Sequence, residues 1–167
     1  SRITGDKSLI KRPMDRILEP LEKMGATFES KNKYLPIVIK GKEDLSSIKY
    51  ILPVASAQIK SGILLAGLNT KGSTEIIEKK LSRDHTELML KAFGANIKIN
   101  ESNGQKSIIL TGKKELISSN ITVPGDFSSA AFFIVSALLI KGSNITLKNI
   151  NLNPKRIGLL KALSSMG

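Results

Sequence analysis

No cysteine occurs in this chain, so disulfide frameworks, thiolate metal sites and a cysteine nucleophile are all excluded. Tryptophan is absent and aromatics make up only 4%, which leaves Ile, Leu, Val and Ala to build any core. The one histidine, His85, cannot make a multi-histidine metal site. The longest apolar run, Ala130–Ile140, is far shorter than a membrane span, and Ser1–Arg12 lacks the apolar stretch of a secretory signal. These absences leave a soluble cytoplasmic protein as the expected class.

Acidic residues are few beside basic ones, 14 against 26, for a net charge of +12 over 167 residues. Nearly all the basic excess is lysine, and the arginines are only Arg2, Arg12, Arg16, Arg83 and Arg156. The charge is scattered, whereas a nucleic-acid binder clusters it in a stripe with aromatics for stacking. No nucleic-acid or membrane partner is expected. A diffuse positive field still favours small anions.

The chain repeats itself. Leu21-Glu-Lys-Met-Gly25, Leu90-Lys-Ala-Phe-Gly94 and Leu163-Ser-Ser-Met-Gly167 share a pattern at a spacing of about 70 residues. Lys71-Gly-Ser73 and Lys141-Gly-Ser143 recur at the same period. A unit of this size is longer than an ordinary solenoid repeat and suits a small α/β module.

One whole unit reads as β-α-β-α-β-β between residues 48 and 112. Ile48–Leu52 is a β-branched run stopped by Pro53. Ala57–Leu68 is apolar on nearly every side, which predicts a buried helix. Thr74–Glu78 is a strand, and Asp84–Phe93 an amphipathic helix ended by Gly94. Asp84-His-Thr-Glu87 fits a capping box, in which each end residue satisfies a free N–H of the helix start. Asn96–Asn100 and Ser107–Thr111 pair as a hairpin across Asn103-Gly104.

The next unit predicts a strand at Ile121–Val123, a buried helix at Ser128–Ile140, a strand at Asn144–Asn149 and a helix at Lys155–Met166. The preceding one predicts a helix over Pro13–Met24, with Pro13 at its first position, then strands at Thr27–Glu29 and Leu35–Ile39. The pattern starts and stops in mid-unit, as expected of a piece of a longer protein.

Polar and charged residues gather at helix starts. Arg12 and Arg83 stand before two of them and Arg156 follows Pro154 at the equivalent place of a third, where a cation opposes the helix dipole unless an anion is shared between guanidinium and N–H groups. A planar guanidinium fork matches phosphate and carboxylate oxygens. Ser56 is an N-cap candidate for the buried helix, and with the N–H groups near Ala57 and the Gln58 amide it offers donors to a phosphate or hydroxyl. Asp126 is read as a structural N-cap, and His85 is given no catalytic role.

Five motifs carry a resemblance: Thr4-Gly-Asp-Lys-Ser-Leu-Ile-Lys-Arg-Pro-Met14, Leu52-Pro-Val-Ala-Ser-Ala-Gln-Ile-Lys-Ser61, Ser82-Arg-Asp-His-Thr-Glu87, Val123-Pro-Gly-Asp-Phe-Ser-Ser-Ala-Ala131 and Leu152-Asn-Pro-Lys-Arg-Ile-Gly158. In this order they make the whole chain resemble the 5-enolpyruvylshikimate-3-phosphate synthase family. The resemblance implies an α/β (α+β) fold, the enolpyruvyl transferase inside-out barrel of repeated β-α-β-α-β-β units. It implies transfer of the enolpyruvyl group of phosphoenolpyruvate to the 5-hydroxyl of shikimate 3-phosphate, without cofactor or metal, by a monomeric enzyme. Ser56, Ala57, Gln58, Ser82 and Arg83 fall where the family binds shikimate 3-phosphate. Arg12 and Gln58 fall where it binds phosphoenolpyruvate. The family's proton-transfer Asp and Glu have no counterpart here, so no catalytic residue is expected in this chain and no turnover from it alone. The family pattern divides the chain into 1–122, on the shikimate 3-phosphate side, and 123–167, opening the second domain.

Three alternatives remain at this point, one of them a stable fragment without function and two from other classes. UDP-N-acetylglucosamine enolpyruvyl transferase shares fold and donor substrate, but the Ser-Ala-Gln and Ser-Arg-Asp-His-Thr-Glu wording weighs against it. A basic nucleic-acid-binding module lacks the aromatic stripe.

Overall fold

The computed structural model describes residues 1–167, which divide into two compact units, Ser1–Ser118 and Ser119–Gly167. The first unit begins with strand β1 (Arg2–Ile3) and a 3-10 turn at Leu9–Lys11. Helix α1 (Asp15–Lys23) and strands β2 (Thr27–Ser30) and β3 (Ile37–Lys40) follow. They form an antiparallel sheet of order β1-β3-β2, with β1 an edge strand that the sequence pattern did not reveal. Pro13 lies one residue before the N-cap, Met14, and not at the first helical position. The helix continues through the buried Pro20, whose carbonyl accepts from Met24 N at 3.1 Å.

The expected six-element module is present in full: β4 (Lys49–Ile51), α2 (Ala57–Gly67), β5 (Ser73–Glu78), α3 (His85–Ala92), β6 (Asn96–Ser102) and β7 (Gln105–Thr111). Its mixed sheet has the order β4-β5-β7-β6. The first pair is parallel, with Ile51 opposite Ile77, and the others are antiparallel. Asn103 and Gly104 turn the hairpin with φ of 51° and 72°, the left-handed pair that a tight two-residue turn needs.

Strand periodicity sets the core. Thr74, Ile76 and Glu78 alternate inward along β5, and Ile76 faces Ile108 of β7 in register. Ile59, Ile63 and Leu64 of α2 cover that face, with Leu90 of α3 and Met24 after α1. The core is aliphatic apart from Tyr50, as the composition requires. Gly62 lets Ile17 of α1 lie against α2, where a Cβ would collide with the Ile17 side chain.

The second unit differs from expectation. Neither Ile121–Val123 nor Asn144–Asn149 forms a strand, and only a parallel bridge links Gly125 with Ile150. A strand needs a partner for its N–H and C=O groups, and residues 119–167 hold no hairpin like 96–111 to supply one. Helix α4 (Phe127–Leu139) forms where predicted, capped by Asp126, whose carboxylate accepts from Ser129 N at 3.0 Å. It is not buried: Phe132 is 77% exposed and Leu139 80%. Helix α5 starts late, at Gly158, because successive asparagine turns hold 151–155 out of helix. No helix is long and apolar enough to cross a membrane.

Candidate functional site

The candidate residues of the first unit come from two loops that follow neighbouring parallel strands. After β4 the chain reaches Ser56, Ala57 and Gln58 at the start of α2, and after β5 it reaches Ser82 and Arg83 before α3. Parallel pairing puts both loops at the same sheet edge, since adjacent strands end together there. The carboxyl edge of parallel strands is where α/β folds commonly bind ligands. Leu52 N extends the pairing by donating to Ile77 O at 2.9 Å. Val54 and Ala55 of one loop and Lys79 and Lys80 of the other line a shared cavity of about 300 Å³.

Ser56 is extended and caps α2, its Oγ accepting from Ile59 N at 3.4 Å. In that bond the hydroxyl is the acceptor, so its own proton stays available to another acceptor. Ala57 is half-buried and Gln58 exposed. Gln58 and Arg12 line one cavity of about 290 Å³ together with Arg16, Met14, Ile17 and Ile59. The two residues that the resemblance assigns to phosphoenolpyruvate are thus brought together, and Arg16 joins them unforeseen.

The three arginines expected at equivalent helix starts prove unequal. Arg156 is already engaged, with Nη2 2.9 Å from Asp126 and hydrogen-bonded to Ser128. Its fork ties α4 to the turn before α5, so the expectation of an anion site there is corrected. The hydrogen bond from Ser129 N holds the Asp126 carboxyl below its ordinary range, aided by Ser128 N and the Arg156 charge against partial desolvation. Neither Arg12 nor the half-buried Arg83 pairs with a carboxylate.

Ser82 also departs from expectation. Its Oγ donates to Glu78 Oε1 at 2.5 Å and its N–H lies 3.3 Å from the same oxygen. With both donors committed, it has little to offer a phosphate, which only accepts.

That carboxylate belongs to a buried cluster which the sequence pattern did not suggest. Lys60, Glu78 and Glu87 are each 0% exposed. Lys60 Nζ donates to Glu78 Oε2 at 3.1 Å and lies 2.6 Å from Glu87 Oε1, off the axis of a good hydrogen bond. Glu87 Oε2 has no partner. One ammonium thus faces two carboxylates in the core. Glu87 was expected to close a capping box with Asp84, and this too is corrected: Asp84 makes no side-chain cap bond, and Glu87 turns inward to the ammonium. The signal was present. Lys60 shares the inward face with Ile63 and Leu64 at i+3 and i+4, Glu78 alternates inward with Ile76, and Glu87 shares a face with Leu90.

A further cavity, about 490 Å³, contains none of these residues. Phe127, Ile134, Leu138, Ile145 and Leu160 wall it within the second unit. It is apolar space between α4 and the segment that forms no strand.

Comparison with known proteins identifies the family. The profile of the EPSP synthase (3-phosphoshikimate 1-carboxyvinyltransferase) family matches residues 1–167, the full length of the chain. The chain belongs to the EPSP synthase family. It is 53% identical over 165 residues to the 3-phosphoshikimate 1-carboxyvinyltransferase of Bartonella henselae, covering 98% of this chain and 37% of that protein. Its match to the Streptococcus pyogenes enzyme is 45% identical over 168 residues, covering 99% of this chain and 38% of that protein. The solved EPSP synthase of Acinetobacter baumannii superposes with a TM-score of 0.83 at 47% identity, covering all of this chain and 37% of that one. The fold is therefore that of EPSP synthase, and the chain spans little more than a third of its relatives' length.

Proposed function

We propose that this chain forms the shikimate 3-phosphate side of an EPSP synthase cleft, in an enzyme moving the enolpyruvyl group of phosphoenolpyruvate to the 5-hydroxyl of shikimate 3-phosphate. The observation that supports the reading is that the loops carrying Ser56–Gln58 and Ser82–Arg83 leave neighbouring parallel strands at one sheet edge and share a cavity lined by Val54, Ala55, Lys79 and Lys80. Arg83 supplies a planar fork for phosphate oxygens, while the first N–H groups of α2, Ser56 Oγ and the Gln58 amide supply further donors. Ser82 acts by holding the loop rather than by touching substrate. Arg12 faces phosphoenolpyruvate across the cavity it shares with Gln58, with Arg16 as a second cation. Nothing in this group accepts or returns a proton during enolpyruvyl transfer, so the chain alone gives no turnover. Residues 1–122 form the shikimate 3-phosphate domain and 123–167 open the second, in a monomeric cytoplasmic enzyme.

Titration of the chain with shikimate 3-phosphate and with shikimate, read by amide chemical shifts, tests this. Each charge-assisted hydrogen bond contributes about 1.5–3 kcal/mol, which supports binding of about millimolar strength from two such contacts. Shifts at 56–58 and 82–84 are expected with the phosphorylated ligand and much smaller ones with shikimate. Equal shifts with both would contradict the assignment, and phosphate release from phosphoenolpyruvate in a steady-state assay would contradict the lack of turnover.

A further inference from the structure

We propose that Lys60, with Glu78 and Glu87, is a positioning device that fixes the spacing of the two anion-reading loops. This rests on the functional reading above. Lys60 lies in the first turn of α2, two residues after Gln58 and one turn after Ser56. Glu78 ends β5, and its second oxygen holds both donors of Ser82, the neighbour of Arg83. Glu87 lies in the first turn of α3, four residues beyond Arg83. A single ammonium therefore links the start of α2, the end of β5 and the start of α3. Ser61 and Thr86 add a hydrogen bond of 2.6 Å between the same two helices.

Core packing alone does not account for this choice. A cation in the first turn of α2 opposes the helix dipole, and three charges lose their hydration. A methionine at 60 facing uncharged partners would fill the space without either penalty. Charged groups offer instead short, directional contacts that pin each element at a set distance, and a phosphate site needs its donors held to within about half an ångström.

The test separates stability from positioning. Lys60→Met combined with Glu78→Gln and Glu87→Gln removes every charge of the cluster, and Glu87→Gln alone leaves one ammonium with one carboxylate. Each is measured in the 167-residue chain by urea unfolding and by titration with shikimate 3-phosphate and shikimate. The uncharged variant is expected to fold yet lose its preference for the phosphorylated ligand by about tenfold or more, as misplaced donors do. Glu87→Gln is expected to lose severalfold, with altered amide shifts at 82–84. A folded uncharged variant that keeps the parental preference overturns the proposal and leaves the site reading intact. If the uncharged variant does not fold, unchanged preference in Glu87→Gln overturns it. A parental chain that does not distinguish the two ligands removes the site reading, and the device with it.

Discussion

Residues 48–112 and residues 119–167 carry the same alternation of β-branched runs and apolar helices, yet only the first stretch closes a core. In the first, β7 lies between β5 and β6 and satisfies both, while α2 buries Ile59, Ile63 and Leu64 against them. In the second, α4 is the more apolar helix, but Phe132 and Leu139 face outward and no strand forms. Apolar content thus specifies a tendency, and the hairpin specifies the outcome. A helix as apolar as α4 is buried only where paired strands exist to receive it.

The first unit is most vulnerable at Lys60. Lys60→Met alone strands two carboxylates in the core, and removing one partner of a buried ion pair costs about 3–5 kcal/mol. Urea unfolding should show the first unit failing, while the helix signal of α4 persists; a change below about 1 kcal/mol would mean the cluster is hydrated in solution. Next come the two helices. Leu64→Ala, at a fully buried site, should cost about 2–5 kcal/mol. Phe133→Ala in α4, 61% exposed, should stay within about 0.5 kcal/mol. Similar losses at both positions would show that α4 is covered in solution.

Sequence pattern revealed the module, its hairpin turn and the N-caps at Ser56 and Asp126, because these depend on local periodicity and turn chemistry. It mistook Glu87 for a capping residue because the Asp84-x-x-Glu87 spacing is shared by a capping box and by an inward-facing glutamate. What decides between them is Lys60, far away in sequence and set in a helix that otherwise reads as apolar. Arg156 was misjudged for the same reason, since its partner Asp126 is distant in the chain. Residue spacing marks Lys60, Glu78 and Glu87 as inward-facing, but which distant charges meet is fixed by topology.

Smaller effects sharpen the contrast. Gly104→Ala forces a side chain into the left-handed region at the hairpin turn, which should cost about 1–2 kcal/mol in the same unfolding experiment. The smallest effects are electrostatic. Hydrogen bonds from Lys49 and then Ser107 hold the Glu75 carboxyl below its ordinary range, as Ser129 N does for Asp126. Both are depressed in the folded state, so their stabilisation is complete above the ordinary carboxylate range and is lost as pH falls through the lowered values. Thermal melting against pH should flatten slightly in Glu75→Gln for the sheet and in Asp126→Asn for α4. An unchanged acid limb in both would show that these two contacts do not stabilise the fold.

The most direct test compares the two arginines. Arg83 stands unpaired beside the start of α3, whereas Arg156 is held by Asp126 and Ser128. Shikimate 3-phosphate and shikimate are titrated into Arg83→Ala and Arg156→Ala, following the amides of 56–58. Arg83→Ala is expected to erase the difference between the two ligands, and Arg156→Ala to preserve it. A preference for the phosphorylated ligand that survives Arg83→Ala would contradict the site.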